Sequence, residues 1–284
     1  MSPEVNKPFM KIMILASIII AGNLFYSSAK AEEVLKIGGV GSSLGSMRMV
    51  ADAFEKSHPR VKVKILPSLG STGGTKAVLN GAIDIGLSGR SMKDDERRQG
   101  AVETEYAKSP FVFVTNKINA ATDLKIHELA EIYEGKRQSW PNGSRIRLIL
   151  RPAADVDTIM LESISPEMSH AVRIALSRSG MIVAITNQES DEAVEKIPGS
   201  LGTSTLTQVI SEKRKLKILA LDGVMPTVRN LRQGSYPLVK RFFMVTKPKP
   251  SALAQKFIDF LRTREGRRIL EETGNIALAG TGGR

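Results

Sequence analysis

The chain of 284 residues contains no cysteine, only three histidines and one tryptophan. Without cysteine there are no disulfides or thiolate ligands, so stability has to come from buried apolar surface, for which about 250 residues suffice. The histidines, His58, His127 and His170, are isolated, and none has a second histidine at the spacing of a metal site. These absences disfavour a metalloenzyme.

Long apolar runs are also missing beyond the first thirty residues. Two lysines precede the uncharged run 12–22, and Ala29-Lys30-Ala31 has the small-x-small pattern at which signal peptidase cuts. The run is about a dozen residues long, whereas a membrane anchor needs roughly twenty. Residues 1–31 are therefore predicted to be a signal peptide, and the mature chain from Glu32 is predicted to be soluble and periplasmic.

The mature chain is strongly basic. Without residues 1–31 it keeps 38 basic and 28 acidic residues, a formal charge of +10, which favours anionic partners. Nucleic acid is disfavoured, because export removes the chain from it and no basic segment is interleaved with aromatics. The clusters 213–215 and 267–268 are predicted to be solvated helix faces.

Short β-rich runs alternate with amphipathic segments, which is typical of an α/β fold. Strands are predicted at 34–40, 62–68, 84–88, 111–115, 146–151, 181–186, 217–221 and 239–246. Helices are predicted at 45–57, 123–134, 166–177, 203–212 and 251–271.

No linker divides the chain, so a two-lobed protein would have to pass between its lobes through strands. The aromatic and β-branched runs 111–114 and 241–245 suit such crossings. They assign residues 32–113 and 240–284 to lobe 1 and residues 114–239 to lobe 2. A single doubly wound sheet is the alternative.

Four loops share one character: each follows a predicted strand and is rich in Gly, Ser or Thr or carries Arg. They are 39–46, 70–75, 88–91 and 151–158. Ligands of open α/β sheets bind at the carboxyl ends of the strands, and free N–H groups at helix starts favour negative charge. The loops therefore predict a site for a small anion.

Motifs for other chemistry are incomplete. A dinucleotide fingerprint would need glycine at Leu44, and Gly135-Lys136 lacks the rest of a nucleotide-phosphate loop. Gly41-Ser42-Ser43-Leu44-Gly45 fits Gly-x-Ser-x-Gly, with Ser43 as candidate nucleophile, but no acid or histidine has a recognisable setting for a triad. A binding protein without cofactor or catalysis is expected, and a periplasmic anion-dependent enzyme or sensor is the alternative from another class.

The order of these loops resembles the phosphate-binding subunits of ABC transporters, within the type II periplasmic binding protein superfamily, over residues 33–280. The segments that carry the resemblance are Gly41-Ser42-Ser43, 70–74, 81–90, 129–135 with Trp140, and 198–202. The resemblance implies an α/β fold of two lobes, each a mixed β-sheet flanked by helices, with the ligand in the interlobe cleft. It implies phosphate or a related oxyanion as ligand and an ABC transporter permease as partner. A monomer is expected.

The resemblance also implies ligand contacts. The predicted ligand-binding residues are Ser42, Ser43, Ser71, Thr72, Gly73, Ser88, Gly89, Arg90, Arg151, Asp155, Asp157 and Thr158. Arg151 matches the charge-bearing arginine of the second lobe.

Two departures from the family pattern concern specificity. Gly89 stands where many members have Asp, and the Arg-x-x-x-Ser-Gly-Thr motif is altered in 151–158, which contains two aspartates. A buried acceptor tolerates protonated phosphate and rejects fully ionised sulfate or molybdate. Asp155 or Asp157 could supply that acceptor, or Asp157 could cap the following helix. Tungstate, molybdate or a small organic anion are the alternative ligands.

Overall fold

The computed structural model describes residues 32–278. The predicted signal peptide, 1–31, lies outside the described residues. The strands are β1 Glu33–Gly39, β2 Val61–Ile65, β3 Ile85–Ser88, β4 Val102–Asn116, β5 Asp123–Leu124, β6 Arg147–Leu150, β7 Ile182–Val183, β8 Ser200–Thr205, β9 Leu216–Ile218, β10 Ala220–Leu221, β11 Val239–Thr246 and β12 Ile276–Ala277.

The helices lie between these strands, as an α/β fold requires. They are α1 Leu44–Ser57, α2 Gly70–Leu79, α3 Asp94–Arg98, α4 Ile126–Glu134, α5 Val156–Glu162, α6 Pro166–Ser177, α7 Asn187–Lys196, α8 Leu206–Ser211, α9 Val228–Arg232, α10 Ala252–Arg262 and α11 Arg264–Glu272. Among the described residues, no helix is long and apolar enough to cross a membrane.

The strands form a mixed sheet in the order β2-β1-β3-β11-β4-β8-β6-β7. β1 runs parallel to β2 and β3, and β6 runs parallel to β7 and β8. The antiparallel strands β4 and β11 lie between these two parallel groups. The first part of β4 pairs with β11 and its last part, from Phe111, pairs with β8. One long strand therefore runs from one half of the molecule into the other.

Two large hydrophobic cores flank this strand. The first is built from residues between Leu35 and Ala107 and from Phe242 to Leu270. The second is built from residues between Phe111 and Tyr236. The fold is thus the two-lobed α/β class that the sequence predicts. The core changes between Tyr236 and Phe242, which brackets the boundary that we propose at 239/240. It also changes between Ala107 and Phe111, a few residues before the boundary that we propose at 113/114.

Glycines bring the strands and helices of the first core close together. Gly39 has φ +149°, and a Cβ there would clash with the backbone of Leu87. A Cβ on Gly74 would lie 2.8 Å from Gly39 Cα. A larger residue at either position would push β1, β3 and α2 apart, and with them the loops that follow β1 and β3.

Several predicted boundaries are confirmed and others are wrong. β11 and α6 have the predicted bounds, and α6 has Pro166 at its first turn with Ser165 Oγ accepting from Met168 N at 3.1 Å. The predicted helix 203–212 is wrong at its start, because residues up to Thr205 belong to β8. The predicted helix 251–271 is two helices that meet at Thr263, whose hydroxyl caps the second by accepting from Gly266 N at 3.2 Å.

The basic cluster 213–215 is not simply a solvated face. Arg214 has only 14% of its side chain exposed and pairs with Glu212 at 2.8 Å. The prediction is wrong for this residue, because its carboxylate partners come from a turn and a neighbouring helix that spacing does not reveal.

Candidate functional site

The first loop turns directly from β1 into α1. Gly41–Ser43 form a 3-10 turn that leads into α1, and both serines are buried. Ser43 Oγ donates to Val40 O at 3.3 Å. Ser42 Oγ has no hydrogen-bond partner within residues 32–278. A buried hydroxyl without a partner is costly, so Ser42 has capacity for a ligand.

The second and third loops are joined by hydrogen bonds. Ser71, in the first turn of α2, accepts from Gly89 N at 2.9 Å through its hydroxyl. Ser88 Oγ donates to Arg90 O at 2.6 Å. Thr72 and Gly73 lie in the same first turn of α2 as Ser71, where backbone N–H groups are not used within the helix. These loops therefore place donors at one edge of the sheet.

Arg90 is already engaged by a carboxylate. Its guanidinium donates to both oxygens of Glu96, at 2.8 and 2.7 Å, and to Thr72 Oγ1 at 3.0 Å. The hydrogen bond from Arg90 lowers the pKa of Glu96, against the opposing effect of burial. Arg90 therefore orients Thr72, and its role as a direct ligand stays a prediction.

The fourth loop presents a buried arginine. Arg151 is 4% exposed; Nη1 donates to Ala184 O at 2.7 Å and Nη2 to Asp155 Oδ2 at 2.8 Å. Its Nε is buried and has no partner within the described residues. Thr158 Oγ1 donates to Arg151 O at 3.2 Å and holds the loop against α5. Arg151 is thus fixed in place and keeps an unused donor.

The two aspartates of this loop have different partners. Asp155 Oδ1 accepts from Asp157 N at 2.9 Å, so Asp155 caps α5. The prediction that Asp157 caps the helix is wrong, because Asp157 lies inside the first turn with its side chain directed elsewhere. Asp157 is fully buried, and its Oδ2 accepts from Asn187 Nδ2 at 2.9 Å.

Lys240 completes the site and was not predicted. This lysine of β11 has no exposed side-chain surface, and its Nζ forms an ion pair with Asp157 Oδ1. Its side chain passes Gly89, since a Cβ on that glycine would lie 2.8 Å from Lys240 Cε. A lysine inside a strand usually faces solvent, and nothing in the local sequence marks the partner, which is 83 residues away.

Contacts link the four loops into one region. Gln188 Nε2, at the start of α7, donates to Gly41 O at 3.0 Å, and Asn187 lies beside the same glycine. From Asn187 the contacts continue through Asp157 and Lys240 to Gly89. The loops that the sequence predicts to share a site are therefore brought together, with Asn187, Gln188 and Lys240 as additional members.

The chemistry of this region suits a small anion. It combines the buried cations Arg151 and Lys240 with hydroxyls and with the starts of α1 and α2. Helix starts favour negative charge. Among the described residues there is no group of three acidic or histidine side chains that could hold a metal ion.

The sequence profile of the PBP superfamily domain matches residues 26–265. The chain belongs to this family. It is 25% identical over 284 aligned residues to the phosphate-binding protein PstS of Borreliella burgdorferi, covering 95% of this chain and 99% of that protein. It is 26% identical over 295 aligned residues to PstS of Bacillus subtilis, covering 95% and 94%.

Solved structures show the same fold. A protein from Clostridium perfringens crystallised with bound phosphate superimposes with a TM-score of 0.74 at 23% identity, over 87% of this chain and 100% of that one. At this identity the likeness establishes the two-lobed fold.

Proposed function

We propose that this chain is an exported solute-binding protein that captures phosphate or a related tetrahedral oxyanion and delivers it to an ABC transporter. The observation that carries the proposal is Arg151, buried with an unused Nε–H, in the region where the starts of α1 and α2 converge. The names of the relatives, PstS in both cases, support phosphate as the first ligand to test.

Capture requires no covalent step. Closure of the two lobes would remove water from the anion and replace it with fixed donors, a hinge mechanism. Gln188 of lobe 2 donating to Gly41 of lobe 1 is a contact of the kind that closure makes.

The serine-hydrolase alternative has little support. Ser43 donates to Val40 O at 3.3 Å and lies at the start of α1. His58, at the far end of α1, stacks on Phe54 with ring centroids 4.0 Å apart. These positions favour a helix-start role for Ser43.

Arg151 gives the sharpest test. A desolvated arginine that faces a buried anion should cost about 2–5 kcal/mol of binding when truncated, roughly thirty-fold or more in affinity. Ligand at about a thousand times its dissociation constant should stabilise the wild type by about 4 kcal/mol, roughly 8–16 °C in Tm. In Arg151→Ala most of the phosphate-induced shift should vanish.

The readout is the ligand-induced shift, because Arg151 also holds Ala184 O and Asp155, and the unliganded Tm will fall as well. Arg173→Ala is the matched control, since this exposed arginine on α6 makes no ion pair within residues 32–278. If Arg151→Ala keeps the full shift with phosphate and with every other oxyanion tested, the placement of the site is wrong.

Export is the second part of the proposal. It depends on the basic start, apolar run and Ala29-Lys30-Ala31 of the first 31 residues. N-terminal sequencing of the secreted protein should begin at or near Glu32. An intact Met1 on the mature species would contradict cleavage.

A further inference from the structure

The buried ion pair of Lys240 and Asp157 lies where the third and fourth loops meet. Neither side chain has exposed surface. Lys240 is held on β11 opposite Ser109 of β4, and Asp157 is in the first turn of α5. The pair therefore links the two central strands to the loop that carries Arg151.

Lys240 occupies the space beside Gly89. A Cβ on Gly89 would approach Lys240 Cε to 2.8 Å and Nζ to 3.7 Å. A side chain at position 89 would therefore clash with Lys240 in the conformation that pairs with Asp157. The third loop thus has an ammonium group next to the position where many family members have a carboxylate.

The ammonium group can donate hydrogen bonds but cannot accept them. Lys240 Nζ donates to Asp157, and its other two protons have no hydrogen-bond partner within residues 32–278. Arg151 is likewise a donor only. Ser42 Oγ, which can donate, is also unpartnered there.

The carboxylates nearby are already occupied. Asp155 accepts from Asp157 N and from Arg151, and Asp157 accepts from Lys240 and from Asn187, so each of the four carboxylate oxygens has a donor. The carboxylates that the sequence predicts as acceptors are therefore engaged by donors of the protein itself.

Gln188 Oε1, beside Gly41, is buried and has no partner within the described residues, but this amide oxygen is neutral. It can accept from a protonated ligand oxygen without repelling an ionised one as a free carboxylate would.

We propose that Lys240, accommodated by Gly89, is a specificity-determining residue that makes this site accept fully ionised tetrahedral oxyanions, so that sulfate binds alongside phosphate. The proposal rests on the proposed function, since it concerns the same cleft. A free carboxylate favours phosphate, because it accepts a hydrogen bond from the phosphate proton and repels ionised sulfate. A site whose carboxylates are already paired does not repel sulfate in this way.

The test compares sodium phosphate with sodium sulfate by isothermal titration of the ligand-stripped protein, at a pH where phosphate is mainly the dianion. We expect the two dissociation constants to differ by less than about thirty-fold, which is a difference of about 2 kcal/mol. Phosphate binding more than about thirty-fold tighter than sulfate would overturn the proposal and leave phosphate capture intact. Sulfate binding without phosphate binding would contradict this proposal, in which both anions bind, and would leave the capture of a tetrahedral oxyanion intact. Binding of neither anion would overturn both.

A restored acceptor should reverse the selectivity. Gly89→Asp combined with Lys240→Ala makes room for the new carboxylate, and Asp157→Asn in the same chain avoids an unpaired buried aspartate. Gly89 is outside the glycines with positive φ, so its backbone accepts Asp. We expect the triple variant to lose at least about thirty-fold in sulfate affinity relative to phosphate.

Lys256→Met, an exposed lysine on α10, controls for the loss of one positive charge and should leave the ratio unchanged. A triple variant that folds and keeps the wild-type ratio would contradict the role of Lys240. If the triple variant does not fold, the wild-type comparison of the two anions still decides.

Discussion

Two aspartates, Asp157 on α5 and Asp191 on α7, are equally buried but have very different partners. Asp157 has a lysine on one oxygen and the amide of Asn187 on the other. Asp191, one turn beyond Asn187 on α7, accepts only from Ser204 Oγ at 3.1 Å, and its Oδ1 has no partner within the described residues. Burial is therefore the same at both positions, and the number of donors is not.

The difference has an electrostatic consequence. Burial raises the pKa of Asp191 well above its ordinary value, and the Ser204 hydrogen bond and Arg214, 3.8 Å away, offset this only in part. Desolvation disfavours a charged carboxylate that lacks donors. Asp157, at the candidate site, therefore has a donor on each carboxylate oxygen. Asp191 has a donor on one oxygen only within the described residues.

The largest loss of stability is expected from removing the cation that pairs with Asp157. Lys240→Met leaves Asp157 buried without its ion-pair partner, which typically costs 3–5 kcal/mol. Urea unfolding should therefore show a loss of about that size. The double variant Lys240→Met/Asp157→Asn removes both charges and keeps an oxygen for Asn187, so it should recover most of the loss. A single variant as stable as the wild type would mean that the pair contributes nothing to the folded state.

Much of the fold could be predicted from sequence where one pattern dominates locally. β11 is an aromatic and β-branched run with turn-like residues after it, and α6 starts with Ser165 and Pro166, a capping residue and a favoured first-turn residue. β8 was missed because Ser200–Thr205 is polar by composition although every residue in it is buried. Ser200 Oγ donates to Val194 O and Ser204 Oγ donates to Asp191 Oδ2, both on α7, while Thr205 Oγ1 accepts from Gln208 N and caps α8.

The loops that form the candidate site could be predicted from the sequence, but the ion pairs within it could not. Gly, Ser and Thr after strands indicate helix starts, and these loops do converge. The partners of Arg90 and Lys240 depend on which side chains the fold places nearby, Glu96 in one case and Asp157 in the other. Gly89 indicates in the sequence that the third loop lacks an acceptor. No local pattern indicates that the ammonium group of Lys240 lies there instead.

The effect expected at Asp191 appears as a dependence on pH. The unfolded chain loses the Asp191 proton near the ordinary value of 3.8, whereas the folded protein retains it to higher pH because burial raises its pKa. As pH rises above 3.8, ionisation of Asp191 therefore favours the unfolded state. The wild type loses stability up to the raised pKa of the folded protein, and above that pKa the loss stays constant. The asparagine side chain of the variant Asp191→Asn has no proton to lose. The free energy of unfolding of this variant, relative to wild type, should be constant at the most acidic pH, increase as pH rises through this window, and level off above it.

Urea unfolding at a series of pH values measures this pH dependence, with the exposed Asp259→Asn as control for the loss of a carboxylate. A relative stability that stays flat or falls with rising pH would contradict a raised pKa for Asp191 in the folded protein.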